Sequence, residues 1–406
     1  MGKRTLLVFL IILNLTLLSR ALSYGRLDDL LLNPLVGKPT TYIVREHNNL
    51  YKIARQLDVA YRHIQRANQT EAYRVKPGQK LIIPTFRVAP RKSAEGIILN
   101  LPEMTIYFYQ DGKVQDFFPV TIGRLSMRTP QGKFRITYKK LHPTWFPPEW
   151  AGIEKPVPPG PRNPLGDRAM ILSIHGYLIH STNAPWSIGK PVSHGCIRMY
   201  PPDAKKLFKL VRVGTPVEII YQPIKLGFDQ GKIYLEVYPD VYYHGTNTFK
   251  KVSNLLEEKG ILPLVEEEKI KAILKAALGI PVPILGSDIK VVVDGEVIPL
   301  EISLIIKDGQ ALVELEKVAQ SLDANLIWDE VRKRVIVSRY WNVVELEINP
   351  QRKVFLNGQE VPSDNFPLFN LLGKTIVPLR FIANALGSSV WYDKEEQTIH
   401  LFSPGR

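Results

Sequence analysis

The chain holds a single cysteine, Cys196, and three of its eight histidines (His175, His180 and His194) lie within the 21 residues before it. From Ile179 the window reads His180-Ser181, then a spacer containing Trp186 and Gly189, then Ser193-His194-Gly195-Cys196-Ile197-Arg198-Met199. These residue types can do nucleophilic chemistry. A thiol with a pKa of about 8.5 is mostly protonated at neutral pH, and a neighbouring imidazole can take its proton and leave a thiolate. His180 stands 16 residues before Cys196, a loop long enough to fold back and bring the two side chains together. Arg198 adds a positive charge that favours the thiolate or binds a carboxylate. Gly195 lets the backbone approach a substrate closely, and the Gly195 and Cys196 amides can point into one pocket, as an oxyanion hole requires. Two blander readings compete. The cysteine could be buried filler beside structural histidines. Histidine and cysteine could also hold zinc, but His194 and Cys196 sit only two residues apart, which is awkward for one tetrahedral centre. No metal and no cofactor are expected.

The elements that must position this window are mostly strands. Residues 97–101, 105–109, 117–122, 134–138, 170–174 and 217–220 carry strand patterns, and Gln110-Asp111-Gly112-Lys113 is a hairpin turn signal. Between 143 and 164 lies a proline-rich stretch unsuited to regular helix or sheet. Ala204, Leu207, Phe208 and Val211 mark one amphipathic helix, with Asp203 expected as its N-cap. Upstream, residues 41–85 read strand, helix, helix, strand, with apolar residues at helical spacing (Leu50, Ile53, Ala54, Leu57) and a turn at Pro77-Gly78-Gln79. Downstream, residues 223–286 are expected as a connecting region with one helical stretch near Lys269–Leu278. Residues 287–402 contain a repeat of period 63 to 64: Val293-Asp294-Gly295 recurs as Leu356-Asn357-Gly358, and Val313-Glu314-Leu315 as Val377-Pro378-Leu379.

Length and charge bound what this assembly could be. At 406 residues the chain is too long for one core. Its formal charge is +14, with +8 on residues 24–93, +7 on 94–222 and −4 on 287–406. That excess favours an anionic partner. Lys3 and Arg4, the apolar run from Leu6 to Leu18 and the small residues around Ala21-Leu22-Ser23 read as a secretory signal over 1–23. The run falls short of the ~20 apolar residues of a spanning helix, so a membrane contact is expected only if this segment stays uncleaved. Export argues against nucleic acid and makes a lone cysteine either filler or a reactive thiol.

Three resemblances sharpen these readings. Tyr42-x-Val44, Leu50-x-x-Ile53-Ala54, Asn68 and Pro77-Gly78-Gln79-Lys80-Leu81-x-Ile83-Pro84 resemble the LysM domain, a glycan-binding module, although His47-Asn48-Asn49 replaces its usual Gly-Asp-Thr. The window from His180 to Arg198, with Thr121-Ile122-Gly123, Thr129-Pro130-x-Gly132 and Asn163-Pro164-Leu165-Gly166 upstream, resembles the L,D-transpeptidase catalytic domain of the YkuD type over residues 94–222. The repeat is similar to the copper-amine-oxidase N-terminal-like stalk; it has no His or Cys cluster, His400 standing alone. The implied architecture is multi-domain: a small βααβ LysM module, a mainly-β catalytic sandwich or barrel with one covering helix, and an α+β two-repeat domain. The implied site has Cys196 as nucleophile, His180 as base, Ser181 orienting His180, and His194 and Gly195 at the oxyanion pocket. Ser193, Trp186 and Arg198 are implied at the substrate, with the proline-rich segment as lid or wall. The implied activity is 3→3 cross-linking of peptidoglycan stems through a cysteine acyl-enzyme, in the extracellular cell wall. An L,D-carboxypeptidase on the same scaffold and an inactive wall-binding protein are the alternatives.

Overall fold

The structure, a computed structural model, describes residues 32–71, 75–90, 95–152, 154–348, 352–362 and 366–403. The signal-like segment 1–23 lies outside the described residues. Among those described, no helix is long and apolar enough to cross a membrane.

The chain opens with β1 (Asn33–Val36) and β2 (Thr40–Ile43), then α1 (Leu50–Gln56), α2 (Tyr61–Ala67), β3 (Lys80–Ile83) and β4 (Arg87–Val88). Strands β2 and β3 pair antiparallel, Tyr42 opposite Leu81. The helical spacing turns Leu50, Ile53, Ala54 and Ile64 inward onto Leu81 and Ile83, where all are buried. Asn49 caps α1, its side chain accepting from the Lys52 amide, so the departure from Gly-Asp-Thr still starts a helix. Asn68 staples α2 to β3: its amide donates to Ile64 O at 2.9 Å, and its oxygen accepts from the Ile82 amide at 2.8 Å.

The mainly-β domain follows: β5 (Gly96–Asn100), β6 (Thr105–Gln110), β7 (Lys113–Gly123), β8 (Gly132–Leu141), β9 (Arg168–Leu172), β10 (Leu178–His180), β11 (Pro191–Ser193), β12 (Ile197–Met199), α3 (Pro201–Leu210) and β13 (Pro216–Ile220). Their order is β11-β7-β12-β10-β9-β8-β13-β5-β6, and β6 pairs again with β7 to close the ring. Two long strands turn the corners. One half of β7 pairs with β6 and the other with β12, while β8 divides between β13 and β9. Alternate residues such as Ile106, Val120, Ile122, Ile136, Met170 and Ile179 fill the interior, and α3 lays Ala204 and Leu207 on the same core. Asp203 is not the N-cap. The helix starts earlier because Pro201 and Pro202 occupy its first positions, which leaves Asp203 buried in the first turn.

Residues 223–286 are more than a connection. They hold β14 (Ile224–Asp229), β15 (Lys232–Val237), α4 (Phe249–Glu258), α5 (Glu267–Ala276) and β16 (Val282–Leu285), in a sheet of order β16-β15-β14-β1-β4. Strands from before and after the barrel therefore share one sheet. Behind it lies a buried ionic cluster. Lys225 Nζ reaches Glu103 at 2.8 Å and Glu236 at 2.9 Å, and Arg87 reaches Glu103 at 3.4 Å.

The final domain is β-rich with two short helices, Leu315–Ser321 and Leu379–Ala385, starting at repeat-related positions. Both repeat turns have positive φ, Asp294 and Gly295 at 49° and 93°, Asn357 and Gly358 at 50° and 80°, as a type I′ hairpin requires. The repeats meet across a pseudo-two-fold, for Val313 pairs with its own counterpart Val377.

Candidate active site

The loop from His180 to Cys196 does fold back. Strands β10 and β12 lie side by side and parallel, Ile179 opposite Ile197 and His180 opposite Arg198. Cys196 immediately precedes β12 and so falls beside Leu178, two residues before His180 on β10, and strand alternation sends the thiol and the His180 imidazole to the same side. Both side chains, with His194 and Arg198, line one cleft of about 520 Å³. The turn before the cysteine is tightly made. Gly195 has φ 109°, and a Cβ there would stand 2.7 Å from the Tyr177 ring, so only glycine fits. The Ser193 hydroxyl donates to Cys196 O at 2.6 Å and accepts from the Gly195 amide at 3.1 Å. Thr129 Oγ1 donates to Gly195 O at 2.8 Å and accepts from the Gly123 amide at 2.9 Å.

His180 is buried, and its Nδ1–H donates to Ser181 O at 2.5 Å. A carbonyl can only accept, so this bond fixes the proton on Nδ1 and leaves Nε2 as the base. Burial, then the like charge of Arg198, push the imidazole down to about 4, against the opposing pull of the Ser181 and Leu165 carbonyls. Burial pushes the Cys196 thiol up, with the Leu178 amide and Arg198 opposing. The resting pair at neutral pH is therefore thiol and neutral imidazole, and Sγ donates to Gly176 O at 3.4 Å. His194 is held down by burial, then by Arg124 and Arg198. What the arrangement can do is move one proton from sulfur to Nε2 at the moment of attack.

Family models match at three places: the L,D-transpeptidase catalytic domain over residues 94–219, the LysM domain over 42–84 and the copper amine oxidase N-terminal domain over 292–401. The probable L,D-transpeptidase ErfK/SrfK of Escherichia coli is 37% identical over 219 residues, which cover 50% of this chain and 70% of that protein. The chain belongs to the L,D-transpeptidase family. The probable L,D-transpeptidase YcfS of the same organism is 36% identical over 208 residues, and this chain spans 65% of its length. The solved catalytic domain of the Enterococcus faecium L,D-transpeptidase aligns over all of that domain and 32% of this chain, with 26% identity and a TM-score of 0.27. The family assignment rests on the sequence matches.

In this member of the family several expected site residues sit otherwise than the window alone implies. Ser181 orients His180 through its main-chain oxygen. Its hydroxyl is buried without a hydrogen bond, packed where a Cβ on Gly166 would approach to 2.6 Å. Ser193 borders the cleft, but its hydroxyl bridges Gly195 and Cys196 within the turn. That bridge consumes the Gly195 amide, so the expected pair of oxyanion amides reduces to the Cys196 N–H, which finds no protein acceptor among the described residues. Trp186 lies outside the cleft and is 60% exposed. The reason is local: Ser187 turns inward, donating to Ala184 O and accepting from Thr121 on β7, and so aims its neighbour at solvent. His175 is exposed and does not line the cleft, although its neighbour Gly176 does.

The aromatic wall comes from the proline-rich segment. Trp145, Phe146 and Pro148 line the cleft opposite the thiol loop. Trp145 and Val157 exchange backbone hydrogen bonds at 2.9 Å, and the Asn163 side chain donates to Pro143 O at 2.8 Å. The composition of this segment marked a wall, but prolines give no period from which its inward-facing residues could be read. Tyr242 was missed altogether. Its hydroxyl donates to Gly123 O at 2.8 Å and accepts from the Thr129 amide at 3.2 Å, yet it lies beyond the catalytic match and no local motif marks it.

Proposed function

We propose that this chain is a peptidoglycan L,D-transpeptidase that makes 3→3 cross-links through an acyl-enzyme on Cys196. The observation that supports the reading is the parallel register of β10 and β12, which turns the thiol into the same cleft as a buried, neutral imidazole whose Nδ1–H donates to Ser181 O. His180 Nε2 takes the Cys196 proton as sulfur attacks the carbonyl joining a diamino acid to D-Ala in a tetrapeptide stem. The tetrahedral oxyanion faces the Cys196 N–H. As the carbon–nitrogen bond breaks, His180 returns the proton to the departing D-Ala amine, leaving a thioester. An amine of a neighbouring stem attacks that thioester and loses its proton to Nε2. Sulfur then leaves and is reprotonated. Arg198 favours the thiolate and holds a stem carboxylate. His194 borders the oxyanion side, and Trp145 and Phe146 hold the stem against the thiol. The LysM unit tethers the enzyme to glycan and raises the local substrate concentration. The signal-like segment 1–23 places the protein outside the cell, at the wall.

Mass spectrometry after incubation with a carbapenem tests the acyl-enzyme. An adduct on the wild type and none on Cys196→Ala is the expected result. An unlabelled wild type, under conditions that label the Enterococcus faecium enzyme, would overturn the reading. Adding a disaccharide-tetrapeptide with and without an acceptor amine then separates cross-linking from hydrolysis. The expected product is a dimer lighter by one D-Ala.

A further inference from the structure

We infer that Tyr242, which lies outside the catalytic match, is a positioning residue that aims the Cys196 N–H at the oxyanion, and that the unit following the barrel is thereby part of the catalytic machinery. The inference rests on the reading of Cys196 as nucleophile.

Tyr242 sits on a loop after β15 that is built to hold it. The Asp240 carboxylate accepts from the His244 amide at 2.9 Å, from the Thr246 amide at 3.0 Å and from the Tyr221 hydroxyl. The Tyr242 amide donates to the same Tyr221 hydroxyl at 2.9 Å, and the two rings stack with centroids 5.9 Å apart. These bonds drive the Tyr242 ring into the barrel core, where it is 1% exposed among the apolar residues of the catalytic domain. Its hydroxyl then bridges Gly123 O and the Thr129 amide, closing the neck of the loop between β7 and β8. Arg128 packs over the same ring at 5.3 Å and meets His244 Nε2 at 3.0 Å.

The consequence reaches the cysteine through one peptide group. Thr129, held by Tyr242, donates its hydroxyl to Gly195 O at 2.8 Å. Gly195 C=O and Cys196 N–H belong to the same planar trans peptide, so they point in opposite directions. Fixing the carbonyl on Thr129 therefore fixes the amide toward the opposite side. With the Gly195 amide consumed by Ser193, the Cys196 N–H is the turn's remaining oxyanion donor, and its direction is set by Tyr242 through Thr129. An acylation step that builds an oxyanion feels this aim. An alkylation that displaces a halide at carbon builds no oxyanion and does not.

That difference supplies the test, made on the full chain. Cys196 is reacted with a carbapenem over a range of concentrations, to separate the limiting acylation rate from half-saturation, and in parallel with iodoacetamide. For Tyr242→Phe and Thr129→Val we expect the limiting acylation rate to fall roughly 10- to 100-fold, less than or comparable to deleting an oxyanion donor outright. Half-saturation and the alkylation rate stay within about 2-fold. The double variant is no slower than the slower single one, because both break one relay. Thr129→Ser, which keeps the hydroxyl, restores most of the rate. Tyr242→Phe acylating at the wild-type rate would overturn the inference and leave the proposed function standing. A parallel loss of acylation and alkylation would also overturn it, showing a collapsed turn and not a mis-aimed amide. A wild type that alkylates but never acylates would instead remove the nucleophile reading on which it rests.

Discussion

Two of the places where this protein buries titratable side chains resolve the penalty in opposite ways. Around Glu103 the charges are matched. Burial pushes the Glu103 carboxyl up, but Lys225 and Arg87 more than reverse this and hold it below its ordinary range. Glu236 shares Lys225 and stays above its ordinary range, because burial and then Glu103 outweigh the one shared cation. The Tyr238 hydroxyl stands 3.1 Å from both carboxylates. In the cleft, the charges facing the histidines are like charges, Arg198 on His180 and Arg124 with Arg198 on His194. Burial and Arg198 outweigh the Ser181 and Leu165 carbonyls, so the imidazole stays neutral and free to accept a proton. Matched burial fixes structure. It joins the segment before the barrel (Arg87), the barrel (Glu103) and the unit after it (Lys225, Glu236). Unmatched burial leaves groups neutral and reactive, as functional sites do.

The comparison breaks most sharply on a pair of substitutions. His180→Gln removes the base and keeps a polar side chain of similar reach. The carbapenem acylation rate is expected to fall by about 10²- to 10⁴-fold, the range for losing one general base, with little loss of stability at pH 7. Lys225→Met does the reverse. It leaves two buried carboxyls without their shared cation, and breaking such a set is strongly destabilising, by about 3–5 kcal/mol. Calorimetry should show a lowered transition, while the acylation rate per folded molecule is unchanged. If Lys225→Met slows acylation in fully folded protein, or leaves the transition where it was, the separation of roles fails.

Acid is the next lever, and its sign follows from His180. The folded imidazole titrates at about 4, below the unfolded value of about 6.5. Above pH 6.5 the group is neutral in both states and contributes nothing to pH dependence. As pH falls through 6.5, the unfolded chain binds a proton that the folded chain refuses. Stability is therefore lost between about 6.5 and about 4, by roughly 3 kcal/mol from this group. Urea denaturation at pH 7 and pH 4.5 should show a larger drop for the wild type than for His180→Gln. Equal drops would mean that the imidazole is already charged in the fold and is not the poised base.

How much of this was legible from sequence divides along physical lines. The LysM unit, the repeat and the Cys196 window could be read because their signals are local: a helical period ending at Asn68, recurring Asp-Gly and Asn-Gly turns, and a nucleophile and base separated by a loop. The closing of β6 onto β7 and the direction of each side chain in the thiol loop could not. Ser193, Ser181 and Gly195 stand out by type and place, but which of their atoms faces the cleft depends on hydrogen bonds such as Gly195 N–H to Ser193 that residue types do not encode. Residues 223–286 were the least legible, because their partners lie far away in the chain: Lys225 meets Val88 and Glu103, and Tyr242 meets Gly123. Such contacts leave no periodicity to read.

The smallest expected effect separates the two tryptophans near the site. Trp186 lies within the motif and Trp145 outside it, so the window alone favours Trp186 at the substrate. The structure reverses that choice. Trp145 lines the cleft with Phe146, and an indole there offers a flat apolar face to a stem peptide. Trp186 stands 60% exposed on a turn whose inward residue is Ser187. Substituting an exposed surface side chain changes stability by about 0.5 kcal/mol or less. Trp186→Ala should therefore leave carbapenem half-saturation and limiting rate within about 2-fold. Trp145→Ala removes part of the wall and should raise half-saturation about 5- to 10-fold, the worth of roughly 1 kcal/mol of lost apolar contact. The limiting rate would change less, because the wall contacts substrate and acylation complex alike. Should Trp186→Ala prove the more damaging of the two, the spacer loop must close over the cleft when substrate binds, and the division between an ordered wall and an outward-facing turn would have to be redrawn.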